Sequence, residues 1–317
     1  MKSEIAHEFH NSALQDILDY HFGWDRTKTK KESGKRLRPL ILFLSLEACG
    51  GSWKDGLSAA CAIEFLHNYS LIHDDIEDQD EYRHGRQTVW EKYGLAEAIN
   101  AGDALYGLAF TQMKYQPTEA FRDQYLSIFT IFSKAATELT IGQAADMGFE
   151  RRKRISLEEY WRMVRGKTAT LFQASAGIGS FLGGANATIK KAFSNFGLNL
   201  GLAFQARDDL LGIWGNPTET GKPTGSDLIN KKKSLPICYG LNKDDQFRKM
   251  NAEENRTISH IQAETKVLAG IGAYDFTIQE IKKFSSKART QLMQTGIKNE
   301  SLDTLLELAD TLNRRMV

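Results

Sequence analysis

The chain is 317 residues long and carries 41 Lys and Arg against 40 Asp and Glu, a formal net charge of +1. A balance this even excludes general electrostatic capture of nucleic acid, and a composition of 41% hydrophobic and 26% charged residues excludes a disordered or collagen-like chain. The N-terminal stretch MKSEIAHEFHNSALQDI mixes charge with apolar residues and lacks the continuous apolar run of a secretory signal, which predicts a cytoplasmic location. Only 5 prolines occur, three of them at Pro217, Pro223 and Pro236, so long stretches contain no obligatory helix breaker.

Apolar residues recur at three and four positions, as at Leu40, Phe43, Leu44 and Leu46 and again at Ile63, Phe65, Leu66 and Ile72, while period-two strand patterns are almost absent. Short breaks at residues 49–52, 116–117, 183–184 and 215–217 punctuate about ten predicted helices of roughly 15 to 30 residues. The longest uncharged run, residues 168–189, has the length of a membrane span. Its strongly apolar residues Leu171, Phe172, Ile178, Phe181, Leu182 and Ile189 are diluted by Gln173, Gly177, Gly179, Gly183, Gly184 and Asn186, however, which predicts a buried helix packed through small residues and no membrane span. Cys49, Cys61 and Cys238 are an odd number without CxxC spacing and read as reduced core thiols. No linker or compositional shift divides the chain, so a single all-α domain over residues 1–317 is predicted.

Residues 71–78, LIHDDIED, place Asp74 and Asp78 four apart on one helix face, with Asp75 three before Asp78. Like charges so spaced destabilise a helix by a few tenths of a kcal/mol per pair, roughly, so the cluster asks for a cation. A second pair, Asp208-Asp209, lies in residues 204–212, FQARDDLLG, again among apolar neighbours. Two such clusters can face each other across a cavity. Carboxylates without cysteine or paired histidine suit a hard ion, magnesium rather than zinc; the plainer alternative is a solvated acidic face. Residues 34–39, GKRLRP, and residues 83–86, RHGR, put basic groups on both sides of the first cluster. Lysine supplies a point charge and arginine a bidentate fork, so together they can cradle a diphosphate, with ordinary surface charge as the alternative. His67 precedes Asp74 by seven residues and lies about 20° from it around a helix, so both face one cavity. His73 reads as a structural residue.

Taken in order, these segments resemble the trans-isoprenyl diphosphate synthases, or polyprenyl synthetases: GKRLRP at residues 34–39, DDxxD at Asp74 to Asp78 followed by Arg83, then Gly142-Gln143 and Asp146, Lys167-Thr168, Phe204-Gln205, Asp208-Asp209, and residues 221–232 from Gly221-Lys222 through Asp227 to Lys232. The resemblance implies one large helical bundle of the isoprenoid synthase type with a central cavity. It also implies head-to-tail condensation of isopentenyl diphosphate with an allylic diphosphate, and about three magnesium ions held between the motifs. Asp74, Asp78 and Asp208 are then metal ligands, with Asp75 and Asp209 supporting them. Arg83, Lys167, Lys222 and Lys232 go to the allylic diphosphate, and Lys35, Arg38, His67 and His84 to isopentenyl diphosphate. Thr168 and Gln205 face the developing cation. A homodimer is also implied.

Three positions depart from the family pattern. His84 stands in place of a second arginine and offers a neutral ring where guanidinium offers a charged fork. Gly212 removes the last carboxylate of the second motif, and Gln87 replaces a frequent proline. The resemblance implies that product length follows the bulk below the first motif, where Tyr69 and Ser70 precede Asp74 by five and four residues. An aromatic at the fifth position closes the pocket early, which points to geranylgeranyl diphosphate, with farnesyl diphosphate as the alternative. A class I terpene cyclase or a non-catalytic partner subunit are more distant readings.

Overall fold

The computed structural model describes residues 1–25, 36–83, 85–113, 122–217, 223–253 and 257–314. Helices α1 (Lys2–Glu8) and α2 (Ala13–His21) precede α3 (Leu37–Ala48) and α4 (Leu57–Glu77). α4 contains no proline or glycine and buries Ala59, Ala60, Ile63, Phe65, Leu66 and Ile72, a nearly all-round burial that marks a central helix. A two-residue ladder pairs Tyr82 with Gln87 and Arg83 with Arg86. α5 (Val89–Tyr93), α6 (Leu95–Gln112) and α7 (Arg122–Glu150) follow.

α8 (Leu157–Val164) starts from a capping box in which Ser156 and Glu159 satisfy each other's backbone N–H groups. It runs through a π-helical turn, Arg165–Ala169, into α9 (Thr170–Leu182) and α10 (Ala187–Trp214). After α11 (Ser226–Ile229), α12 (Leu235–Lys243), α13 (Asp245–Asn251) and α14 (Ile258–Gly270), the long α15 (Ala273–Met293) packs along α10, and α16 (Glu300–Arg314) closes the bundle. The all-α expectation holds. The helices outnumber the predicted ten because α5, α11 and α13 are too short to carry a period of their own. The predicted break at residues 116–117 lies outside the described residues.

Most of the uncharged run forms the buried helix α9, while its last residues turn at Gly183-Gly184 into α10. A Cβ on Gly179 would lie 2.9 Å from Ser45 Cβ of α3, and one on Gly201 of α10 would lie 2.6 Å from Ala169 Cα, so the backbones approach where a side chain has no room. Among the described residues no helix is long and apolar enough to cross a membrane. One apolar core gathers Ile63, Phe65, Leu66, Leu105 and Phe132 around α4, α6 and α7. Another joins Phe172, Phe193, Phe196, Leu292 and Leu305 from α9, α10, α15 and α16. The central helices α4, α7, α9 and α10 are thereby fixed from both sides, and the two aspartate motifs lie on α4 and α10. The cysteines are free; Cys238 is a core thiol, whereas Cys49 and Cys61 are only half-buried, a correction to the expectation that all three are core residues.

Candidate active site

The last turn of α4 delivers Asp74 and Asp75, and Asp78 caps the helix, its N–H returning to Asp74 O at 2.8 Å. Three cations answer these carboxylates, with Arg83 shared by Asp74 and Asp75. Asp75, buried, accepts from Arg83 Nε at 2.6 Å, and Asp74 Oδ2 from Arg83 Nη2 at 3.4 Å. Asp74 Oδ1 accepts from Lys167 Nζ at 3.0 Å and Gln143 Nε2 at 2.9 Å, while Asp78 Oδ2 accepts from Lys232 Nζ at 2.9 Å. Lys167 also donates to Asp146 Oδ2 at 2.5 Å. Burial pushes the Asp74 carboxyl up, but Lys167, Arg83 and Gln143 bring it net below its ordinary value. For Asp75 burial dominates and raises the carboxyl to about 6 despite Arg83. The like charges of the first motif are thus held by the basic residues expected to bind diphosphate.

Lys167 owes its place to the π-helical turn, a distortion common at functional sites. Two glycines let it form: a Cβ on Gly142 of α7 would run into the Lys167 backbone nitrogen and lie 2.6 Å from Gly166 C, and one on Gly166 would lie 2.6 Å from Glu138 O. Gln143 and Asp146, one turn apart on α7, face Asp74 and Lys167. The sequence motifs contain both residues without marking a role for either; their three-residue spacing is the available signal.

Thr168 Oγ1 donates to Gln205 Oε1 at 2.7 Å, bringing that expected pair together. Asp209, expected to support the metal position, is held in the scaffold. It is buried and accepts from Gln205 Nε2 at 2.8 Å, Tyr160 Oη at 2.5 Å and Leu235 N at 2.6 Å, tying α10 to α8 and α12. Burial and the nearby Asp227 charge raise its carboxyl to about 7 against those donors. Adjacent helical residues point about 100° apart, so Asp208 is exposed while Asp209 is not. At Gly212 a Cβ would lie 2.5 Å from Asp227 Cγ, so the Asp227 carboxylate fills the space that a side chain at 212 would need.

Arg38 Nη1 donates to His67 Nε2 at 2.9 Å, and its guanidinium lies 4.8 Å from the Phe172 ring centroid. Burial, then the Arg38 and Arg83 charges, hold the His67 imidazole well below its ordinary value, so the neutral ring accepts this bond. Lys35, His84 and Lys222 lie outside the described residues. Below Asp74 a cavity of about 110 Å³ opens between α4 and α7, lined by Tyr69, Ser70, His73, Glu77, Leu139 and Gln143 among others. Tyr69 stands 4.9 Å from Tyr106 and 4.7 Å from His73, ring to ring. Ser70 Oγ is engaged on its own helix, donating to His67 O at 2.8 Å. His73, read as structural, lies over Gly102, where a Cβ would collide with its ring, and also lines this cavity.

Asp74, Asp78 and Asp208 would offer a hard cation oxygen donors only. Among the described residues no three carboxylates or imidazoles are gathered for a metal ion, and Asp74 and Asp78 hold Lys167 and Lys232 instead. That arrangement fits magnesium, which takes one or two carboxylates and completes its shell with water and phosphate oxygens.

The polyprenyl synthetase family model matches residues 26–271, and the chain belongs to this family. The (2E,6E)-farnesyl diphosphate synthase of Mycobacterium tuberculosis strain H37Rv is 40% identical over 229 residues, which span 71% of this chain and 63% of that protein. The chain therefore matches just under two thirds of that relative's length. The geranylgeranyl diphosphate synthase of Sulfolobus acidocaldarius is 41% identical over 248 residues, 74% of each chain. Among solved structures, the polyprenyl synthetase of Streptomyces coelicolor A3(2) superposes with a TM-score of 0.90 at 33% identity, covering 98% of this chain and 94% of that one. The geranylgeranyl pyrophosphate synthetase of Pyrococcus horikoshii follows with 0.89 at 32% identity, covering 99% and 94%. The all-α isoprenoid synthase fold is established by these likenesses.

Proposed function

We propose that this protein is a magnesium-dependent prenyltransferase that condenses isopentenyl diphosphate head-to-tail with dimethylallyl, geranyl or farnesyl diphosphate, ending at geranylgeranyl diphosphate. The observation that carries this reading is the pairing of Asp74 with Lys167 and of Asp78 with Lys232: carboxylates and ammonium groups brought together from distant parts of the chain, the mixed set that a metal diphosphate needs. Asp74, Asp78 and Asp208 hold the ions, about three with diphosphate bound, and these supply neutralising charge to the departing diphosphate. Arg83, Lys167 and Lys232, with Lys222, grip the allylic diphosphate, so the allylic carbon–oxygen bond breaks toward fixed positive charge. Thr168 and Gln205 turn oxygen dipoles toward the cation left behind. Arg38 and His67, with Lys35 and His84, orient isopentenyl diphosphate. Its double bond attacks the allylic carbon, a carbon–carbon bond forms, and loss of a proton restores the alkene.

Farnesyl diphosphate is the second reading, favoured by the name of the mycobacterial relative; Tyr69 at the cavity wall supports a short product in either case. We further infer one working domain over residues 1–317 and a homodimer through α6 and α7. Leu95, Ile99 and Tyr106 form one exposed stripe on α6, and Leu126 and Ile141 are exposed on α7. Free cysteines support the reducing cytoplasm. Mass spectrometry of products formed from isopentenyl diphosphate and each allylic starter with magnesium tests the proposal. A ladder ending at twenty carbons is expected, fifteen carbons selects the second reading, and no elongation with any starter rejects synthase activity in favour of a cyclase or a partner subunit.

A further inference from the structure

Residues 20–25 precede the segment matched by the family model, yet they reach the scaffold of the first aspartate motif. α2 ends at His21, and Gly23, with φ of +67°, turns the chain so that Trp24 N closes on Asp19 O at 2.8 Å. Three side chains then make separate contacts. Tyr20 Oη donates to Gln87 O at 2.8 Å, and Arg86 Nη2 donates to both Asp25 oxygens at 3.2 Å. The Arg86 guanidinium also lies 4.2 Å from the Tyr20 ring centroid. His21 Nε2 meets Asn68 Oδ1 at 2.9 Å, next to His67.

Arg86 and Asp25 are 22% and 24% exposed, so this is not an open surface pair of negligible value. Gly23 lies beneath it, and a Cβ there would press to 3.3 Å on Arg86 Nη1. The ladder explains why such a clamp is needed. Arg83 and Arg86 sit directly opposite each other on it, a like-charge pair that repels. Asp75 answers Arg83 on one side at 2.6 Å, and Asp25 answers Arg86 on the other. A ladder of two residues per strand has little stability of its own, so these outer contacts fix where Arg83 stands.

We propose that residues 20–25 brace this hairpin: Tyr20 and Asp25 are positioning residues that hold Arg86 and Gln87 and so keep Arg83 over Asp74 and Asp75, ready for a diphosphate. That the diphosphate belongs to an allylic substrate rests on the synthase reading; the brace itself does not.

The test compares wild type with Asp25→Asn, Tyr20→Phe and Asp25→Glu. The readouts are hydrogen exchange of the segment 80–90, calorimetric titration with inorganic diphosphate and magnesium, and steady-state kinetics. Asp25→Asn is expected to speed hairpin exchange and weaken inorganic diphosphate about tenfold, the scale of one lost charge-assisted contact. KM for the allylic diphosphate should rise by a similar factor with kcat within about twofold, and Asp25→Glu should restore most of both. In the double variant Asp25→Asn/Arg86→Ala the losses should not add, because the two residues act as a pair. Unchanged exchange and unchanged diphosphate affinity in Asp25→Asn overturn the proposal, as does a lowered Tm with KM untouched. If wild type elongates no allylic diphosphate, the synthase reading falls, while exchange and inorganic diphosphate still decide the brace.

Discussion

The Lys167 ammonium lies 3.0 Å from Asp74 Oδ1 although the two residues are 93 positions apart, which joins the end of α4 to the π-helical turn before α9. Lys167 is held from the other side by Asp146, so it keeps a partner if Asp74 is removed. Asp74→Ala should therefore leave the fold intact, with Tm within about 5 °C of wild type. It removes a proposed ion-holding oxygen from the reacting centre, and turnover should fall by about three powers of ten or more. Condensation assays beside circular dichroism check both halves; near-normal turnover would remove the assigned role of Asp74.

The π-helical turn depends on absent side chains, and glycine substitutions on α7 can show it. Gly142→Ala drives a Cβ against the Lys167 backbone, where neither partner can give way. The expected loss is about 1–3 kcal/mol in urea unfolding, as for an overpacked core site, together with a fall in turnover because Lys167 moves. Gly148, on the same helix, has nothing within 4 Å of an added Cβ. Gly148→Ala should be neutral or stabilising by up to about 1 kcal/mol. Equal effects of the two changes would show that helix propensity, not the approach of Gly142 to the turn, governs this region.

Stability should also report the seating of α2 through pH. Burial, reinforced by the Arg83 and Arg86 charges, lowers His21 to about 4 despite its bond to Asn68. The folded value lies below the unfolded value of about 6.5, so the contribution of a neutral His21 is complete above pH 6.5 and is lost as pH falls toward 4. His21→Gln keeps a donor for Asn68 and removes the titration. Wild type should lose about 3 kcal/mol more than this variant between pH 7 and pH 4. Urea midpoints across that range measure the difference, and parallel curves would show that His21 does not titrate over it.

Much of the site was legible because charge in an apolar helix is conspicuous. Asp74, Asp75, Arg83, Lys167 and Lys232 stand together as the motifs implied. The doublet Asp208-Asp209 reads as a ligand beside a supporting carboxylate, and helical rotation sends the second into the core, where Tyr160, 49 residues away, awaits it. No local pattern announces that partner. Gly212 reads as a lost carboxylate, whereas in space Asp227 occupies its place. The turn at Lys167 and the contact of Asp25 with Arg86, 61 residues apart, arise from tertiary approach alone. The short helices α5, α11 and α13 escaped for another reason: four to seven residues span too little of a 3.6-residue period to register.

The cavity beneath Asp74 offers the sharpest test of product length. Tyr69 and His73 line it from α4, Tyr106 of α6 packs against Tyr69, and Gly102 of α6 leaves the space that the His73 ring occupies. Tyr69→Ala removes the largest ring lining about 110 Å³ of space and should shift products beyond twenty carbons. Ser70→Ala should leave them unchanged, because its hydroxyl already serves His67 O on the same helix. Gly102→Ala should act in the opposite direction, since its methyl group displaces the His73 ring toward the cavity and shortens the chain. Chromatography of the dephosphorylated products of the three variants reads all of this at once. A Tyr69→Ala profile that matches wild type would take the floor away from Tyr69, and Gly102→Ala would then show whether the His73 ring carries it instead.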